Sequence, residues 1–265
     1  MINLREKLAF GIDVSDYNTV DWELASQRVD FVWAKSSEGG SLAAKKFRSH
    51  VEGAKSVGMA VGAYHFARPD INKTLAGARK EAQFFFEKVQ SVADLGALEL
   101  PAVLDYEPKP ASVSDIDSAA WIMAFANHYK ALSGEFPALY GSWGQLPSYG
   151  LQKFAYPGGL WVAGGLVNTP AAAVTTDPGI QWAFKSPRNG IIGKRFPNME
   201  TIAWQYSWEG RIPGLMIGNK QQTDVNVMTL AQLNKYKSPA WTNLLIVAAA
   251  GGVLGYLVYL YRNRV

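Results

Sequence analysis

Short apolar runs recur along the first four fifths of the chain, and between the early ones lie longer segments whose apolar residues return every three or four positions. The runs at 10–14, 31–35, 60–65, 102–106, 138–141, 160–163, 179–183 and 202–206 predict strands. The intervening segments at 22–28, 43–57, 73–89 and 115–132 predict helices. Ser112 followed by Asp115 reads as a capping box for the last of these. After Leu132 helical segments shorten and strands dominate. Alternating strands and helices imply a parallel sheet, and this many repeats imply a closed α/β barrel of the TIM-like (β/α) kind with a strand-rich second half.

A different pattern takes over near the C-terminus. No charge occurs from Ser238 to Tyr261, and residues 244–261, LLIVAAAGGVLGYLVYLY, are apolar apart from tyrosine hydroxyls. As a helix these residues reach about 27 Å, against a hydrocarbon core of roughly 30 Å. Trp241 stands at one end and Tyr256, Tyr259 and Tyr261 toward the other. Lys235 and Lys237 lie outside one boundary, Arg262 and Arg264 outside the other. The expected organisation is a catalytic domain at 1–228, a short helix or linker at 229–240, a transmembrane helix at 241–262 contacting the lipid bilayer, and a tail at 263–265. Gly251 and Gly255 form a GxxxG that permits helix–helix association, although glycine is common in such spans. The first fifteen residues, MINLREKLAFGIDVS, contain no apolar stretch of signal-peptide length, so no secretory signal is expected.

Composition narrows the chemistry. At 265 residues, with 48% hydrophobic and 18% charged positions, the chain is globular and long enough for one large domain with an appendage. Absence of cysteine excludes disulfides, thiolate metal sites and cysteine nucleophiles. His50, His65 and His128 are too scattered for metal-ligand spacing, so neither metal nor cofactor is expected. The net charge of +4 equals the four cations that follow Asn234, so the catalytic portion is formally neutral and shows no basic stripe for nucleic acid.

The stretch AVLDYEPKP at 102–110 ends an apolar run with Asp105 and Glu107 just before a proline. Side chains two apart on a strand share a face, so the two acids point the same way about 6–7 Å apart. Two like charges held that close split their pKa values and leave one group protonated near neutrality, which suits acid/base hydrolysis; a solvated pair of acids at a strand end is the plainer alternative. In α/β barrels chemistry gathers at the C-terminal strand ends. Here those ends are Asp13, Glu38, His65, Asp105 with Glu107, Tyr140, Trp161, Trp182 and Gln205. Carboxylates among aromatics and an amide suit a polysaccharide, whose rings stack on aromatic faces and whose edges form hydrogen bonds.

These residues resemble the family 25 glycoside hydrolases, lysozymes that cleave the glycan of bacterial peptidoglycan. The likeness rests on GIDVS (11–15), VDFVWAKSSEGG (29–40), GAKSVGMAVGAYHFARP (53–69), AVLDYEP (102–108), ALYGS (138–142), AWQYS (203–207) and TDVNVM (223–228), in the family's order. It implies a flattened α/β barrel of five β/α units followed by strands. It also implies an N-acetylmuramidase in which Glu107 is the proton donor and Asp105 its neighbouring carboxylate. Asp13 and Asp224 match the other active-site acids, and Tyr64 and Tyr140 match tyrosines that line the site. Glu38 recurs in the pattern as a rim or structural residue, and His65 is expected to pack beside the site. The charge on Asp105 is expected to raise the Glu107 pKa. One departure is visible: DVSDYNTVDW lacks the glycine that often follows this segment's Asn or Gln and is a residue shorter, so the first rim loop is expected to differ in shape. Retaining, substrate-assisted and inverting mechanisms stay open. So do two other functions, a glycan-binding protein without activity and a hydrolase of another N-acetylated glycan such as chitin. A catalytic domain with a C-terminal anchor suggests a bacteriophage setting, either wall penetration from a membrane-containing virion or host lysis.

Overall fold

The computed structural model describes residues 8–108, 110–113, 116–150, 156–164, 196, 199–220 and 223–238. The expected strand at 179–183, Trp182, Asp115, the proposed span at 241–262 and the pair Gly251 and Gly255 lie outside them. Among the described residues no helix is long and apolar enough to cross a membrane.

In chain order the elements are β1 (Leu8–Val14), β2 (Asn18–Val20), α1 (Trp22–Ser26), β3 (Phe31–Glu38), β4 (Leu42–Ala43), α2 (Phe47–Ser56), β5 (Ala60–Phe66), α3 (Leu75–Gln90) and β6 (Val103–Asp105). They continue with α4 (Ser118–Ser133), β7 (Ala138–Ser142), β8 (Leu160–Ala163), β9 (Thr201–Gly210), β10 (Leu215–Ile217), β11 (Thr223–Thr229) and a final helix, α5 (Leu230–Lys237). Eight of these strands close into a barrel in the order β1-β11-β9-β8-β7-β6-β5-β3, with β3 returning to β1 and β4 hanging on the outer edge of β3. From β1 through β3, β5, β6, β7 and β8 to β9 every pairing is parallel. The seam is antiparallel, because β11 runs against both β9 and β1.

Period-2 alternation sorts the side chains into two cores. Val32, Ala34, Val61, Leu104, Leu139 and Val162 face outward and pack under α2, α3 and α4. Phe31, Trp33, Val103, Ala138, Trp161 and Met228 face inward and fill the barrel, with Trp33 and Trp161 stacked at 4.5 Å across it. Two inward positions are glycine because the rings need the space. A Cβ on Gly11 would lie 2.2 Å from Phe31, and one on Gly62 would lie 2.5 Å from Trp33. Leu233 and Tyr236 of α5 join the inner core, so the segment beyond Thr229 is a helix packed on the barrel.

Two helix starts move by three residues or more. The helix expected from 43 begins at Phe47, because Leu42 and Ala43 pair with the end of β3 as β4. The helix expected from 115 begins at Ser118, capped by Asp117, whose carboxylate accepts from the Ala120 N–H at 3.0 Å, while Ser112 lies in a preceding 3-10 turn. The Asp117 side chain takes the cap just ahead of the first helical turn, and that position sets the start.

Candidate active site

Toward the C-terminal ends of the parallel strands the inward positions change from apolar to polar. Asp13 follows Ala9 and Gly11 on β1, Lys35 follows Phe31 and Trp33 on β3, and Tyr64 follows Gly62 on β5. Asp105 follows Val103, Tyr140 follows Ala138, and Gln205 follows Ala203. Asp224 enters from the start of β11. These seven line a cleft of ≈ 230 Å³ together with Ser15, Tyr17, Phe66, Glu107 and Trp161. The chemistry is therefore the top layer of the barrel filling, set on strands that the layers beneath hold rigid.

Asp13 and Asp224 are brought together by the seam, where they are direct cross-strand partners. Asp13 is the fixed member. Its Oδ2 accepts from Gln205 Nε2 at 3.0 Å and from Asn226 Nδ2 at 2.9 Å. Both amides are oriented in turn: Tyr140 OH donates to Gln205 Oε1 at 2.7 Å, and Trp161 Nε1 donates to Asn226 Oδ1 at 2.8 Å. Burial raises the Asp13 carboxyl above the usual range, against the lowering effect of the two amides. Asp224, which lacks those amides, is pushed up to about 9 by burial, by the Asp13 charge and by the hydrogen bond the two acids share. The proton of this pair belongs to Asp224.

Asp105 and Glu107 form the second pair, on the β6 side of the mouth. Burial and the Glu107 charge drive the Asp105 carboxyl well above its ordinary value. Glu107 is raised by burial and by Asp13, while its hydrogen bond with Asp105 lowers it. This reverses the expected direction of influence between them. The more deeply buried Asp105, 6% exposed, suffers the larger loss of hydration, so in the free site the shared proton sits on its side. Asp105 Oδ1 is buried with no hydrogen-bond partner.

Tyr64 and Tyr140 line the cleft, and burial together with the surrounding carboxylates raises both phenols well above their ordinary values, so both remain donors. Gln205 is a bridge between Tyr140 and Asp13. Trp161 is 2% exposed and forms the cleft floor. Glu38 is not among the residues lining the cleft. A register shift between Lys35 and Ser37 turns the end of β3, so Glu38 stands on the rim, 2.7 Å from Lys35 Nζ and 2.9 Å from Arg68 Nη1. Against the cost of its burial, those two cations hold its carboxyl below the ordinary value. His65 is wholly buried between Ser37 Oγ (2.9 Å) and Glu81 Oε2 (3.0 Å), facing the helices. Ser37, His65 and Glu81 thus line up like a hydrolytic triad, but no substrate reaches them. Glu81 also accepts from the Arg68 N–H and from Asn72 Nδ2, so this chain of bonds ties α3 to the loop beyond β5.

Two participants escaped the sequence reading. Asn226 lies two residues from Asp224 on the same strand face, and Lys35 continues the inward alternation of Phe31 and Trp33. Both follow from period 2 once the strand is known, but β11 was not among the expected strands. Its sequence TDVNVMT places polar residues at Asp224 and Asn226, the inward positions at the barrel mouth, instead of the apolar ones a buried strand normally shows.

A family model described as glycosyl hydrolases family 25 matches residues 12–215. An N,O-diacetylmuramidase from Arthroderma benhamiae is 31% identical over 148 residues, covering 53% of this chain and 60% of that protein. Lysozyme M1 from Streptomyces globisporus is 27% identical over 214 residues, covering 77% of this chain and 64% of that protein. The chain thus spans less than two thirds of the length of these curated relatives. Among solved structures, the catalytic domain of a bacteriophage endolysin from a phage of Listeria monocytogenes matches with a TM-score of 0.65 at 23% identity, over 86% of this chain and 97% of that one. A bacterial lysozyme from Streptomyces coelicolor matches with a TM-score of 0.59 at 24% identity, over 92% of this chain and 98% of that one. At these identities the two structures share the fold with this chain.

Proposed function

This chain belongs to the glycosyl hydrolases of family 25, and on that premise we propose that it is a peptidoglycan hydrolase, an N-acetylmuramidase that cleaves the β-1,4 bond between N-acetylmuramic acid and N-acetylglucosamine. The observation that carries this reading is the gathering of Asp13, Asp224, Asp105 and Glu107 at the barrel mouth, among tyrosines and a tryptophan. The muramidase and lysozyme among its relatives support the choice of substrate.

Cleavage requires a proton on the glycosidic oxygen as the bond breaks. Glu107 is the donor. Its partner Asp105 lines the same cleft and is placed to take the N–H of the 2-acetamido group of muramic acid. A hydrogen bond to a carboxylate favours its charged form. Substrate binding at Asp105 therefore drives the shared proton from Asp105 to Glu107, arming the acid only when a glycan is present. The acetamido carbonyl oxygen then attacks the anomeric carbon as Glu107 protonates the leaving oxygen. Water opens the resulting cyclic intermediate, with the Glu107 carboxylate taking the water's proton. Direct inversion through Asp224 is disfavoured, because at neutral pH that group holds a proton and is a poor base.

The test is digestion of purified peptidoglycan and mass spectrometry of the products. New reducing ends on muramic acid are expected. Ends on glucosamine, or cleavage of chitin in preference, overturn the reading, and tight binding without cleavage points to a glycan-binding protein.

We further propose that residues 241–262 anchor the enzyme in a membrane, with a bacteriophage as the setting, in a virion membrane or in the membrane of a host being lysed. Support comes from the charge-free apolar run between paired cations and from α5, which completes the described barrel before that run begins. A chain ending at Lys237 is expected to be soluble and active, and the full chain to stay with membranes through high-salt washing, since apolar burial is not screened by ions. A full chain released by salt excludes the anchor.

A further inference from the structure

The rim turn that departs from the family pattern carries Tyr17. Among the described residues Tyr17 is the most exposed large apolar side chain, at 77%, and yet it lines the cleft. A lone exposed tyrosine on a loose loop means little. This one sits on a turn that is fastened on every side. Within the turn, the Ser15 N–H donates to Asn18 Oδ1 at 2.8 Å and the Asn18 N–H donates to Ser15 O at 3.1 Å. The carboxylate of Asp16 accepts from the N–H groups of Lys45 and Lys46 at 3.1 and 2.8 Å, just ahead of α2. Lys46 Nζ donates to Asn18 O at 2.8 Å, and His50 Nε2 lies 3.0 Å from Ser15 O.

The residues on both sides of Tyr17 are thus pinned to one helix and its leading loop, while the ring they carry stands in solvent. Folding has spent its polar contacts on holding an aromatic face in the open. A phenol ring is amphipathic and loses few rotamers on binding, so a rigidly presented one is suited to stack against a flat, partly apolar ligand. The ligand available at this mouth is a sugar chain. Tyr17 lies beyond Asp13 at the end of β1, three strands around the barrel from Asp105 by way of β3 and β5. It therefore extends the cleft on the side away from the proton donor.

We propose that Tyr17 is the platform of an outer subsite, which stacks a pyranose ring of an N-acetylated glycan strand beyond the two sugars that flank the cleaved bond. The proposal rests on the muramidase reading for the identity of the glycan. It makes the enzyme prefer long glycan strands to short fragments. The turn is the feature that sets this preference, because Asn18 and Asp16 fix the angle at which the ring meets the strand.

The experiment measures binding, so that it stands apart from catalysis. In a Glu107→Gln background, affinities for peptidoglycan glycan oligomers of increasing length are read by calorimetry, with and without Tyr17→Ala. Loss of the ring is expected to weaken binding of the longest oligomers roughly tenfold and that of the shortest by about twofold or less. Tyr17→Trp is expected to restore the length dependence. An equal loss at every length, or none at any, overturns the proposal, as does a loss that Trp fails to rescue in a variant with unchanged melting temperature. Failure of the muramidase reading shows separately, as parent enzyme that leaves all of these oligomers intact.

Discussion

Asp105 and Glu107 stand two residues apart at the end of one short strand, whereas Asp13 and Asp224 come from opposite ends of the domain and meet only where β1 and β11 pair. The two dyads share a chemistry and differ in support. Asp13 is clasped by two side-chain amides that are themselves oriented by Tyr140 and Trp161. Asp105 has an oxygen with no partner at all. A clasped carboxylate is a fixed electrostatic feature, because moving it or protonating it breaks charge-assisted bonds. An unclasped one is free to trade its proton for a substrate hydrogen bond. On the proposed mechanism the dyads take separate tasks, the Asp13 side setting the field and the Asp105 side working in it.

Substitutions that erase the difference are the means to test it. The largest effect is expected from Glu107→Gln, which leaves the fold intact and lowers turnover at least 100-fold, about the low end of a general-acid contribution. A folded variant with near-normal turnover on peptidoglycan removes Glu107 from the role. Asp105→Asn is expected to lower turnover roughly 10- to 100-fold and to move the basic limb of the rate profile to lower pH. The sign follows from sharing: in the parent the last proton of the dyad is the one that burial and the Glu107 charge hold on Asp105, and in the variant that strongly raised site is gone and Glu107 titrates alone. A basic limb that stays in place means that the acids are uncoupled.

The smallest effect belongs to the seam, and it is on stability. Asp224 has a folded pKa raised from 3.8 to about 9. The folded state therefore binds more protons than the unfolded chain, and stability falls as pH rises through that window. Asp224→Asn removes the penalty. The variant is expected to equal the parent below the ordinary carboxyl range and to gain on it progressively as pH rises, by at least about 1 kcal/mol near pH 8, a few degrees or more in melting temperature. A variant destabilised at every pH contradicts the raised pKa.

The two dyads also differ in how plainly the sequence displayed them. Spacing alone put Asp105 and Glu107 on one face, because that inference needs one strand and no partner. Asp224 was reached by resemblance and not by pattern. TDVNVMT hides its strand character behind inward polar residues that make sense only once the opposite wall is known. The parallel half was readable for a related reason. Runs such as FVWAK and AVGAYH are buried on both faces and so are continuously apolar. The turn at Lys35/Ser37 that takes Glu38 out of the cleft, and the proton lodging with Asp105, depend on register and depth, which a linear pattern does not encode.

The antiparallel seam also makes activity a matter of timing. Asp224 and Asn226 lie on β11, the strand that pairs with both β9 and β1 and so closes the barrel. Until it is laid beside β1, Asp13 lacks its dyad partner and one of its two amide clasps, and the inner core lacks Met228. Contacts that join the first and last strands form slowly, since a long loop must close before they give any return. A ribosome that has not yet reached Thr223 therefore carries a chain in which this cluster is incomplete. The carboxyl cluster at the barrel mouth comes into being late and in one step, when the barrel shuts.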